Sequence, residues 1–168
     1  MYAWQELSPA EENGVWDRFQ ASFGFAPRVG GQATIREPTP SLTWSIAHVF
    51  GDQRDWLEDD LHIRVLDAFR RCLPRDGKLY ALDWQHPCYW LWPHRVVDAS
   101  RWDAWKVPVL PDGDYYVFLA EDFCFGLFGH PWEQTLCAFG RPLLDALSVN
   151  RPTLLTTPLR RNGLPTTT

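Results

Sequence analysis

The chain predicts a single α+β domain, a mainly antiparallel sheet with its helices packed largely on one side. Three observations carry this. Strand patterns run consecutively through residues 111–140, helical patterns are confined to a few well-separated segments, and the strict strand–helix alternation of a doubly wound fold is missing. With 168 residues, 45% of them hydrophobic and 22% charged, the chain has enough material to bury a core without disulfides or metal. The domain is read over residues 1–148, and 149–168 as a disordered Thr/Pro-rich tail.

Ser8-Pro9-Ala10-Glu11 combines an N-cap, a proline at the first helical position and an acid in the first turn. Val15, Trp16, Phe19 and Phe23 follow at helical spacing, so a helix runs to about residue 22 and stops at Gly24. Gly30-Gly31 marks a loop, and Gln32 to Glu37 reads as a short strand broken by Pro38-Thr39-Pro40. Leu42 to Ile46 alternates apolar and polar residues, the pattern of a strand with one buried face. From Gln53 to Leu73 the stripe Leu57, Leu61, Val65, Ala68, Phe69 and Cys72 marks a second helix. Glu58 and Asp59 lie early and Arg70 and Arg71 late on its other side, as the helix dipole favours.

Lys78 to Trp84 and Cys88 to Trp92 form a strand pair turned by Gln85-His86-Pro87. Residues 93–110 are loop-like, with a helical turn around Trp102 and Trp105. After the turn at Pro111-Asp112-Gly113-Asp114, Tyr115 to Ala120 is apolar nearly throughout and therefore central in the sheet. Phe123 to Phe128 and Thr135 to Phe139 supply the next two strands. Glu121-Asp122 is either the turn before the first of these or a bulge within the ladder. Arg141 to Leu147 closes the domain as a short helix.

Composition narrows function. Arg151, Arg160 and Arg161 are three of the 16 basic residues, and none of the 21 acids lies beyond residue 148, so residues 1–148 carry a net charge of -8. Such a body does not suit nucleic acid, which needs clustered Lys and Arg, but it suits a basic protein partner. The four cysteines show no CxxC spacing and read as reduced thiols in the cytoplasm. No secretory signal and no membrane-length apolar run occurs. The glycine-rich nucleotide loops and the GxSxG elbow are missing too, and nothing calls for a cofactor.

Two His-Pro corners are the candidate chemistry. Asp83-Trp84-Gln85-His86-Pro87 and Gly129-His130-Pro131-Trp132-Glu133 each place a histidine near a carboxylate at a strand end. If those ends share a side, His86, His130, Asp83 and Glu133 converge as a general acid/base site. The competing reading is that His130 caps a tight turn while Pro131 fixes its bend. Neither His-x-His nor HExxH spacing occurs, so no metal site is assigned. For binding, the candidates are Asp112, Asp114, Glu121 and Asp122 with Trp84 and Trp132; the plain alternative for the acids is turn chemistry and solvation. The surplus of 10 Trp adds rings at Trp90, Trp92, Trp102 and Trp105 that fill core, lie under the 93–110 loop or form an exposed patch.

Residues GDYYVFLAEDFCFGLFGHPWEQTLCAFG, preceded by ALDWQHP and PSLTWSIA, resemble a bacterial family of small proteins known only as a domain of unknown function, found in actinobacteria and bacilli. The likeness covers residues 4 to about 147. It implies a coherent fold and a bacterial origin, and it assigns no site residue. Two functions from different classes are therefore expected in competition: a protein-binding module, immunity-like or regulatory, and a small-molecule enzyme of hydrolase or isomerase type.

Overall fold

The protein is described by a computed structural model that covers residues 2–28, 34–52 and 54–167, with the backbone only at Trp102. Its first helix, α1 (Pro9–Phe23), starts where the sequence places it. The Ser8 hydroxyl accepts from the Glu11 N–H while the Glu11 carboxylate accepts from the Ser8 N–H, a reciprocal capping box. Gly24, at φ 62, ends the helix in the left-handed conformation that a side chain disfavours. Helix α2 (Arg54–Cys72) buries Leu57, Leu61, Val65 and Phe69, the expected stripe, and α3 spans Arg141–Val149.

Nine strands among the described residues form one antiparallel sheet. In chain order they are β1 (Trp4–Glu6), β2 (Ser41–Ser45), β3 (Leu79–Asp83), β4 (Tyr89–Leu91), β5 (Tyr116–Ala120), β6 (Gly126–His130), β7 (Thr135–Phe139), β8 (Pro158–Arg161) and β9 (Leu164–Pro165). Across the sheet they run β1-β4-β3-β5-β6-β7-β2-β8-β9. The 111–140 stretch thus supplies three adjacent strands at its centre.

Alternation along these strands feeds two cores. Phe118, Leu127, Leu136 and Ala138 face α2 and α3, packing with Leu61, Phe69, Leu143 and Leu147. Val117, Leu119, Phe128 and Phe139 point the other way, against Phe19 and Phe23 of α1. Helices α2 and α3 therefore share one face, and α1 covers the second.

Several sequence expectations change. The 149–168 tail is not without structure. Residues 158–165 form a hairpin that extends the sheet beyond β2, with Arg160 opposite Thr43 and Pro158 opposite Trp44. Asn162 and Gly163, at φ 53 and 76, make the two-residue turn whose twist suits antiparallel strands. Strand β6 starts at Gly126, later than expected, because Phe123 sits at φ 64 and the chain must finish the β5–β6 turn before it can pair. His130 is consequently the last residue of a strand and not a corner residue beyond it. Strand β1 lacks alternation and was not expected; it pairs with β4, and the Trp4 Nε1–H donates to the Ala104 carbonyl at 2.7 Å. Of the strand read over Gln32 to Glu37, the described part, from Thr34, is not a strand; Gln32 and Ala33, with the Gly30-Gly31 loop and Gln53, lie outside the described residues. The turn at Trp102–Ala104 is present.

Candidate functional site

The sheet separates the residues expected to converge. Asp83 pairs with Tyr116, and Tyr116 with Gly129, so these three share a face; His130, one residue on, projects to the opposite face. There its ring packs edge-on to Tyr115, with centroids 5.0 Å apart, and is 1% exposed. His130 Nδ1 accepts the Glu133 N–H at 3.0 Å, which closes the β6–β7 turn. Glu133 is committed elsewhere: Arg160 donates to both its carboxylate oxygens at 2.8 and 2.9 Å and to Glu37 at 2.8 Å. Burial would raise the Glu133 carboxyl, but bonds from Arg160 and Thr135 outweigh it and hold it below the ordinary range. His130 and Glu133 thus belong to the scaffold of this turn. Trp84 and Trp132, both half-buried, flank Tyr115 at 5.6 and 5.1 Å.

At the β3–β4 corner a different trio forms. His86 Nδ1 lies 3.0 Å from Asp83 Oδ1 and 3.6 Å from Asp114 Oδ2. Both aspartates are buried, whereas the His86 side chain is 64% exposed. Asp114 accepts from the Tyr115 N–H at 2.7 Å and the Gln85 N–H at 3.1 Å. Burial, reinforced by Asp83 beside it, pushes its carboxyl up to about 6. The hydrogen bond to Asp83 raises His86 above its ordinary value. One ligand atom from each of Asp83, His86 and Asp114 lies within 4.8 Å of the others, so these residues could hold a divalent cation of the kind that accepts mixed oxygen and nitrogen ligands. Without one, the arrangement is an imidazole oriented by a carboxylate that favours its protonated form.

The four acids chosen for binding do not gather. Asp112 and Asp114 precede β5, while Glu121 and Asp122 follow it at the far end of the strand. Asp122 caps the β5–β6 turn by accepting the Cys124 N–H at 3.0 Å, and Asp112 is ion-paired with Arg54.

The most developed acidic surface lies along α2. A cleft of about 600 Å³ is walled by Asp55, Glu58 and Asp59 on the helix and by Ser100, Arg101 and Asp103 on the facing loop. His62 forms its floor. Its ring stacks on Trp105 at 4.7 Å, Nε2 accepts the Val109 N–H at 3.1 Å, and burial lowers its pKa to about 4. Trp56, 56% exposed, stands beside Asp55, and Ile63 is also exposed farther along α2. Burial raises the Glu58 carboxyl above its ordinary value, with Asp112 and Asp59 adding to the effect. Tyr116 lies opposite Asp83 in the pairing of β3 with β5. Its hydroxyl is raised to about 12, first by burial and then by Asp83, Asp114, Asp112 and Glu58, which all act on it.

Sequence reasoning read Glu58 and Asp59 only as dipole partners and passed over Asp55, His62 and Asp103. The available signal was Trp56, an aromatic residue outside the buried stripe of α2, next to two acids on the polar side.

A family profile described as "Protein of unknown function (DUF2716)" matches residues 6–144. The chain is similar to "Uncharacterized protein YxiI" of Bacillus subtilis (strain 168), 31% identical over 160 residues that cover 92% of this chain and 98% of the relative. No solved structure matches. No helix among the described residues is long and apolar enough to cross a membrane.

Proposed function

We propose that this chain, which belongs to the DUF2716 family, is a cytoplasmic protein-binding module, immunity-like or regulatory, that receives a basic partner in the acidic cleft along α2. The observation that carries this reading is the cleft itself: three carboxylates on one helix face, a fourth across the gap, and an exposed Trp56 beside them. Carboxylates steer a cationic surface into register, and a rigid aromatic supplies contact area at little entropic cost. Arg101 is tied to Asp103 by two bonds at 2.9 and 2.7 Å, and Arg54 approaches Glu58 at 3.7 Å, which leaves Asp55 and Asp59 to meet the incoming cations. This reading favours α2 over the Glu121–Asp122 turn as the binding surface.

The test is isothermal titration against a basic protein encoded beside the gene. Saturable binding that disappears in Asp55→Lys/Asp59→Lys, with the circular dichroism spectrum unchanged, supports the reading. Equal binding by the variant overturns it.

A second reading, acid/base catalysis at His86 on a small molecule, is favoured by the 3.0 Å contact to Asp83. It is supported less, because the exposed ring is not shielded from water, and catalytic sites gain their electrostatic strength by excluding it.

A further inference from the structure

A second cavity, of about 300 Å³, lies on the α2–α3 side of the sheet where β2 meets the C-terminal hairpin. Leu42 and Trp44 of β2, Leu144 and Leu147 of α3, and Leu155 and Pro158 supply apolar walls. Among the described residues, the charged ones that line it are Arg151 and Arg161, with no acid. In a protein whose first 148 residues carry a net charge of -8, an apolar hole bordered by arginines alone is a local inversion of the electrostatics.

The topology explains how the inversion arises. Arg161 pairs with Leu42, so both project to the α3 side, whereas Arg160 projects to the other and is consumed by Glu133 and Glu37. Arg151 lies just beyond Asn150, the residue that caps α3. Neither Arg151 nor Arg161 is ion-paired among the described residues. Trp44, which contributes to the cavity wall, has a buried indole N–H with no acceptor among the described residues. Such a donor is costly unless something supplies an oxygen.

We infer that this cavity binds a small amphipathic carboxylate, its apolar body against Leu42, Leu144, Leu147 and Leu155 and its head group between Arg151 and Arg161. Guanidinium groups hold carboxylates by paired, charge-assisted hydrogen bonds, and a largely apolar hole with a few convergent polar groups is the usual form of a small-ligand site. The site is independent of the acidic cleft, which is built from other residues.

Decanoate, decanol and decyltrimethylammonium, each below its micelle concentration, test the inference by isothermal titration with the full chain. The expected result is saturable decanoate binding at one site, weaker decanol binding and no binding of the cation. Arg151→Gln/Arg161→Gln is expected to weaken decanoate by about tenfold or more while leaving decanol unchanged, as loss of charge-assisted bonds requires. Leu144→Trp, which fills the cavity from a half-exposed position, is expected to abolish both. Equal affinity for decanoate and decanol, a double arginine variant that binds decanoate normally, or no saturable binding would each overturn the assignment.

Discussion

His62 stacks on Trp105 with ring centroids 4.7 Å apart, and this pair joins the floor of the acidic cleft to the hydrophobic core beneath it. The imidazole must stay neutral there, because Nε2 accepts the Val109 N–H. Asp55, Glu58 and Asp59 on α2 and Asp103 with Arg101 on the facing loop line the same cleft, but burial dominates the ring's behaviour.

A pH dependence of stability follows from this. The folded-state pKa of His62 is about 4, below the ordinary 6.5, so its contribution is complete above pH 6.5 and is lost as the pH falls through that value toward 4. The shift corresponds to about 3 kcal/mol as an order of magnitude. Urea denaturation at pH 7 and pH 4 is expected to show a fall in stability that is smaller in His62→Gln. An identical fall in both proteins would remove His62 as its source.

Arg160 ties the C-terminal hairpin to two carboxylates, Glu133 and Glu37, that are largely buried. Arg160→Ala leaves both without their cation and is expected to cost about 2–3 kcal/mol, reduced from a fully buried pair because the guanidinium is partly exposed. Its neighbour Arg161, which is exposed, is expected to change stability by less than about 0.5 kcal/mol when replaced by alanine. Equal effects of the two substitutions in urea denaturation would contradict the described register of β8.

Gly140 joins β7 to α3 at φ 86, and a Cβ there would lie 2.2 Å from the Cys124 carbonyl oxygen. The obstruction is backbone, so relief requires moving the β5–β6 turn. Gly140→Ala is expected to destabilise by about 3 kcal/mol or more. A thermal midpoint unchanged from the parent protein would refute the contact.

What could be read from the chain depended on how local each signal is. The Ser8–Glu11 capping box and the apolar run Thr135–Phe139 are complete within a few residues, and both elements start where the sequence places them. The C-terminal hairpin also has a local signal, Asn162-Gly163, but the surrounding Thr and Pro composition hid it, and β8 is held by β2, more than a hundred residues earlier. The Asp83–His86 pair could be foreseen because both residues lie in one turn, whereas Asp114 joins them only through the pairing of β3 with β5. The α2 cleft was invisible for the same reason. Its far wall, Ser100 to Asp103, comes from an irregular loop whose position no periodicity encodes.

The binding account rests on the acidic cleft guiding a cationic surface, and the association rate with the basic partner, followed by stopped flow as ionic strength is raised, tests this most directly. The expected result is a steep fall in association rate with salt, flattened in Asp55→Lys/Asp59→Lys, with little change in dissociation. A rate indifferent to salt, or one that falls equally in the variant, would contradict it.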